Sequence, residues 1–199
     1  MTTTRNSIAG VVLFHGAGSD ADHSCLVAIE EALSPLPVFR INFPYRRREG
    51  RRPPDRAPVL LECVREEVSR CAKNLGVETG SLVIGGRSMG GRMCSMVVAD
   101  KDDPLDVGGL VLVSYPLHPP AKPEKLRTEH LPRLSTPTLC ISGTKDTFGT
   151  PDELVSAFSV SAASVEWQWI EKGRHELSGA DHVVAEIISA WVGNLPVPH

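Results

Sequence analysis

Ser81-Leu82-Val83-Ile84-Gly85-Gly86-Arg87-Ser88-Met89-Gly90-Gly91-Arg92-Met93 joins an apolar run of strand length to a glycine pair, a lone serine and a second glycine pair. Beyond it Met89, Met93, Met96 and Val97 recur at helical spacing, so the stretch reads as strand, very tight turn, helix. Gly86 and Gly90 stand two residues to either side of Ser88. This is the G-x-S-x-G pattern, in which a serine sits in a strained turn and small neighbours let strand and helix pass closely. Ser88 is then presented, not buried. A plain glycine-rich turn is the competing reading, and the surrounding chain has to decide between them.

Outward from this stretch the same alternation continues. Upstream, Val11 to His15 is a short β-branched and aromatic run that ends at Gly16-Ala17-Gly18-Ser19-Asp20. Asp20 or Asp22 is expected to cap a helix with Leu26, Ile29 and Leu33 on one face, closing at Ser34-Pro35. Pro37 to Phe43 alternates as a strand, and Leu60, Val64, Val68, Cys71 and Leu75 mark an amphipathic helix ending at Gly76. Downstream, Gly109 to Tyr115 and Pro137 to Ser142 read as buried strands, and Val165 to Ile170 as an alternating one. Thr150-Pro151-Asp152-Glu153 opens a helix with Leu154, Val155 and Phe158 inward, and a last helix spans about 181 to 193. Two segments break the pattern. Residues 44 to 58 hold six arginines against two acids and are expected to form neither a regular helix nor a core strand; residues 116 to 134 hold five prolines and are expected to be a long ordered loop.

Six strands, or seven, alternating with four or five helices imply a mostly parallel sheet covered by helices on both faces. The 199 residues are expected to form one domain, with 1–8 a flexible N-terminus. A net charge of −3 gives no whole-molecule reason to bind nucleic acid or an anionic membrane. The N-terminus lacks the apolar segment of a signal peptide, and no apolar run has the roughly 20 residues of a membrane span, so a soluble, cytoplasmic protein is expected. Five cysteines without C-x-x-C spacing read as reduced core residues; no metal or cofactor is expected.

Ligands in such folds bind beyond the C-terminal ends of the strands. His15-Gly16-Ala17-Gly18, Ser88, Asp146 and His175 each fall just past a strand end, and so on one sheet edge. Serine needs a base to become a nucleophile, histidine titrates in the right range, and a carboxylate holds its tautomer. The order Ser88, Asp146, His175 is that of α/β-hydrolases. The oxyanion donors are expected to be the backbone N–H groups of Met89 and Ala17. His182 competes with His175 but falls in the start of the last helix, and His118 and His130 have no evident partner. Asp152 and Glu153 are expected to serve a helix N-terminus.

Phe14-His-Gly-Ala-Gly18, Phe43-Pro-Tyr45, Arg51-Arg-Pro-Pro-Asp-Arg56, Gly85-Gly-Arg-Ser-Met-Gly-Gly-Arg92, Tyr115-Pro-Leu-His-Pro-Pro120, Pro123-Glu-Lys-Leu-Arg-Thr-Glu-His130, Gly143-Thr-Lys-Asp146 and His175 carry a resemblance over about residues 9 to 192. The chain resembles the small capless α/β-hydrolases related to the testis-expressed protein 30 and KAT8 regulatory complex subunit 3 family, distantly similar to dienelactone hydrolase. The resemblance implies the α/β-hydrolase fold without a lid domain and a triad at Ser88, Asp146 and His175. It implies no substrate, since some relatives act as complex subunits.

The reading that follows is a serine hydrolase acting on a small ester or thioester. Its alternatives are a catalytically silent interaction module and an acyltransferase or peptidase with the same triad. His15, Arg46, Arg47, Arg51, Arg87, Tyr115 and His118 are the candidates for the substrate rim. The arginine run suggests an anionic acyl donor; the competing reading is a solvated loop whose arginines pair with local carboxylates. A protein partner would use that run or the proline-rich loop.

Overall fold

The computed structural model of the protein describes residues 8–48, 50 and 52–195, so residues 1–7 and the rim candidate Arg51 lie outside the described residues. Six strands run parallel in the order β2-β1-β3-β4-β5-β6. They are β1 (Gly10–Phe14), β2 (Val38–Ile41), β3 (Leu82–Arg87), β4 (Gly109–Val113), β5 (Thr138–Gly143) and β6 (Val165–Ile170). The helices are α1 (Ser24–Leu33), the single turn α2 (Pro44–Arg47), α3 (Ala57–Leu75), α4 (Met89–Val98), α5 (Pro151–Phe158) and α6 (Asp181–Asn194). The chain leaves β1 for one neighbour, β2, and returns to its other side as β3. That reversal opens a crevice at the C-terminal ends of β1 and β3, where the Ser88 turn lies.

Alternate side chains of the buried strands feed two cores. Val12, Phe14, Ile84, Leu110 and Leu112 pack with Val64, Val68, Met93, Val97, Leu154 and Phe158 of α3, α4 and α5. Val11, Leu13, Val83, Val111, Leu139 and Ile141 pack with Leu26, Ile29, Val184 and Ile188 of α1 and α6. A period of two on strands meeting a period near 3.6 on helices makes this a three-layer arrangement. No inserted lid domain occurs among the described residues.

Local chemistry sets the boundaries and corrects several expectations. His23, rather than Asp20 or Asp22, caps α1: its ring accepts from the Cys25 N–H at 3.2 Å, while Asp22 pairs with Arg40 at 2.7 Å. Residues 44–47 do form a helical turn, because Pro44 at its first position presets φ. Gly76 ends α3 with φ 69°, and Thr150 and Glu153 form a reciprocal capping box at α5. Val155 points outward at 46% exposure rather than into the core. Ile8, expected within a flexible terminus, is buried in the α1–α6 core.

Candidate active site

Ser88 follows β3 directly with φ 51° and ψ −116°, an L-residue forced into left-handed territory, and α4 starts at the next residue. The turn is possible because nothing projects from its neighbours toward β1. A Cβ on Gly86 would stand 2.0 Å from the Phe14 carbonyl oxygen, and one on Gly90 2.2 Å from the same atom. The Ser88 N–H donates to the Val113 carbonyl at 2.8 Å, and its own carbonyl accepts the Arg92 N–H at 3.0 Å, starting the helix.

His175 lies in the loop after β6 and Asp146 in the loop after β5; the Lys145 N–H donates to the Gly173 carbonyl at 2.8 Å and ties the two loops together. Ser88 Oγ is 2.8 Å from His175 Nε2, and His175 Nδ1 is 2.8 Å from Asp146 Oδ2. The carboxylate accepts from Nδ1–H, which leaves the Nε2 lone pair to accept the Ser88 hydroxyl proton. The Asp146 side chain is fully buried, and its Oδ1 accepts the Phe148 N–H at 2.8 Å. The Phe148 ring stacks on the imidazole with centroids 4.0 Å apart, and Arg87 Nη2 donates to the His175 carbonyl at 2.8 Å. Three residues thus hold the histidine: Phe148 at its ring face, Asp146 at its ring nitrogen and Arg87 at its backbone.

The side chains open into a cleft of about 710 Å³. Gly16 and Ala17 form part of its wall against Ser88; a Cβ on Gly16 would lie 3.6 Å from Ser88 Cβ. Their loop is braced from below. The Tyr45 hydroxyl donates to the Ala17 carbonyl at 3.0 Å and Arg46 Nε to the Ser19 carbonyl at 2.8 Å. Met89, first residue of α4, also lines the cleft, and the first N–H groups of a helix have no acceptor within it.

Of the described rim candidates, only Arg87 lines this cleft, where it pairs with Glu176 at 2.9 Å. The other described candidates are held by partners elsewhere. His15 is fully buried: Nδ1 donates to the Gly16 carbonyl at 2.7 Å and Nε2 accepts the Phe43 N–H at 3.1 Å, so it latches β1 to the start of α2, and burial lowers its pKa. Arg46 braces the Gly16–Ser19 loop, and Arg47 pairs with Glu67 on α3 at 2.6 Å. Tyr115 is buried against Phe158 and donates to the Arg127 carbonyl at 2.7 Å. His118 is buried, with Nδ1 3.0 Å from the Pro119 carbonyl. His130 does have a partner, Ser95 Oγ at 2.8 Å, and burial together with Arg92 and Arg133 pulls its pKa to about 4.

Sequence reasoning missed Arg92, Arg127 and Phe148 in the cleft wall. Arg92 had a signal, since it stands one helical turn beyond Ser88 on the same face. Phe148 had one as well, lying two residues after Asp146; Arg127 had none, since it reaches the cleft only because the long 116–134 loop folds back over the strand ends.

A parallel sheet with a serine in a strained strand-to-helix turn, and a histidine and carboxylate from the last two strand ends, defines the α/β-hydrolase class. The chain belongs to the alpha/beta hydrolase domain family, whose model matches residues 7–185. Among solved structures, it is similar to Est1E from Butyrivibrio proteoclasticus with ferulic acid bound, at a TM-score of 0.74 and 14% identity, covering 98% of this chain and 92% of that one. Dienelactone hydrolase from Anabaena variabilis gives a TM-score of 0.70 and 21% identity over 96% and 88% of the two chains. An alpha-beta serine hydrolase homologue from Coxiella burnetii gives 0.71 and 15% over 92% and 85%. At these identities the likeness is one of fold. No helix among the described residues is long and apolar enough to cross a membrane.

Proposed function

We propose that the chain is a serine hydrolase that cleaves a small ester or thioester through an acyl-enzyme. The observation that carries this reading is the unbroken hydrogen-bonded row from Ser88 Oγ through His175 to Asp146, both links 2.8 Å long, opening into the cleft. Ser88 Oγ attacks the acyl carbon as its proton passes to His175 Nε2, and buried Asp146 stabilises the imidazolium. The N–H groups of Met89 and Ala17 hold the oxyanion of the tetrahedral intermediate. Collapse expels the alcohol or thiol, which takes the proton from His175. A water, deprotonated by the same imidazole, then attacks the acyl-enzyme, and the acid leaves as the proton returns to Ser88.

Within its family we place the chain with the small capless members related to testis-expressed protein 30, on the Tyr115–Pro120 and Arg51–Arg56 blocks. Labelling by a fluorophosphonate probe, together with hydrolysis of a short p-nitrophenyl ester, tests the reading. Wild-type protein is expected to label and to turn over; absence of labelling in the folded protein, or equal labelling of Ser88→Ala, overturns it in favour of a silent scaffold.

A further inference from the structure

The charges of the Ser88 cleft do not cancel. Among the described residues, five formally charged side chains besides the histidines line it: Arg87, Arg92 and Arg127 against Asp55 and Glu176. Glu176 is taken by Arg87 at 2.9 Å, and Asp55 by Arg48 at 3.4 Å from outside the wall. Arg92 and Arg127 remain. Among the described residues neither forms an ion pair, Arg92 Nε is buried without a hydrogen-bond partner, and the Arg127 guanidinium makes a single hydrogen bond, Nη1 to the Pro116 carbonyl at 3.1 Å. The adjoining cleft of about 370 Å³, whose wall Arg92 and Arg127 share, holds Asp100, Asp102 and Glu129; Asp100 pairs with Arg65 and Asp102 with Lys101, and among the described residues none of the three pairs with Arg92 or Arg127.

Burial, and after it the charge of Arg92, pulls the Arg127 guanidinium below its ordinary pKa, the mark of two like charges held close in a partly desolvated wall. Such a pair is costly when empty and favourable around an anion, because planar guanidinium forks match a carboxylate with two parallel hydrogen bonds. Arg92 also has a fixed relation to the chemistry. Its N–H donates to the Ser88 carbonyl at 3.0 Å, so it stands one turn, about 6 Å, along α4 from the serine.

We propose that the substrate carries, besides its ester or thioester carbonyl, a carboxylate that Arg92 and Arg127 clamp together. This rests on the hydrolase reading above and names its substrate class: a monoester or monothioester of a short dicarboxylic acid, or an acyl ester of a carboxylated alcohol. Arg46 and Arg47 of the preceding run do not do this, since they are engaged by Ser19 and Glu67.

The test compares kcat/KM for p-nitrophenyl hydrogen adipate with p-nitrophenyl hexanoate, and for 4-acetoxybenzoate with phenyl acetate, in wild type, Arg92→Gln and Arg127→Gln. The first pair places the anion in the acyl part and the second in the leaving group. Wild type is expected to prefer the anionic member of one pair, and each variant to lower that preference by roughly 10- to 100-fold, the worth of a charge-assisted hydrogen bond. No preference in wild type, or one unchanged in both variants, overturns the proposal. Fluorophosphonate labelling of each variant at Ser88 reports that the fold and nucleophile survive. If wild type does not label or turn over any ester, the hydrolase reading fails by itself. Calorimetric binding of monomethyl adipate to Ser88→Ala then decides the clamp: binding lost on adding both arginine changes supports it, and binding absent or undiminished overturns it.

Discussion

Ser88 and Ser95 each have a histidine nitrogen 2.8 Å from the hydroxyl, yet the two hydrogen bonds run in opposite senses. Ser95 Oγ donates to the Arg92 carbonyl at 2.9 Å, so it must accept from His130 Nε2–H; that serine is already committed and has no base. Ser88 instead donates to a nitrogen whose partner nitrogen is held by Asp146. Ser88→Ala is therefore expected to remove labelling and lower kcat by about 10,000-fold or more. Ser95→Ala is expected to keep the labelling but to lower stability by about 1–3 kcal/mol in urea unfolding, because the His130 donor is left buried and unpaired. Retained labelling in the first variant, or lost labelling in the second, would reverse the assignment.

At the scale of elements, the contact that matters most is the end of β1 pressed between β3 and α4. Replacing Gly90 by alanine would raise helix propensity by about 1 kcal/mol. Against that, its Cβ would meet the Phe14 carbonyl at 2.2 Å, and this is backbone that cannot swing aside. A backbone overlap this close puts the overpacking cost at about 3 kcal/mol or more, which exceeds the propensity gain by about 2 kcal/mol, so Gly90→Ala is expected to lower Tm by about 4–8 °C and to loosen the elbow. Gly193→Ala in α6, where a Cβ meets nothing within 4 Å, is the control and is expected to leave Tm level or slightly raised. Equal behaviour of the two variants in a thermal melt would count against the close approach.

The whole molecule couples to pH through histidines that folding takes wholly or partly out of water. Burial lowers the pKa of His15 and of His23, and burial with Arg92 and Arg133 takes His130 from 6.5 to about 4. The unfolded chain takes up these protons below about pH 6.5 and the folded chain only at lower pH, so the stabilisation is full above 6.5 and declines as pH falls toward 4. For His130 alone the shift corresponds to about 3 kcal/mol at most. Urea midpoints are expected to fall from pH 7 to pH 5, and less steeply in His130→Gln; a parallel decline in that variant would exclude His130 as a source. The five cysteines are free and buried, and burial lifts Cys63 and Cys71 to about 11 and Cys25 to about 12. Native protein is expected to resist iodoacetamide at pH 8, with all five thiols reacting only on unfolding; rapid native alkylation would contradict the packing of both cores.

How much of this was legible depended on the range of the interaction. Strand–elbow–helix around Ser88 follows from residues within six positions of one another, since Gly86 and Gly90 allow only that turn. The order of strand ends then brought Ser88, Asp146, His175 and the Gly16–Ala17 loop to one edge, because a parallel sheet puts all its C-terminal ends on the same side. The arginines could not be assigned in this way. Arg46, Arg47 and Arg48 form a conspicuous run, but Ser19, Glu67 and Asp55 engage them. Arg92 and Arg127, 35 positions apart, stand in one wall without an ion pair among the described residues only because the 116–134 loop folds back across α4. The sequence by itself determined the layered parallel fold and the nucleophile turn, through periodicity and local sterics. Only the tertiary structure decided which charges face the cleft, because a side chain's partner is set by distances in space that spacing along the chain does not encode.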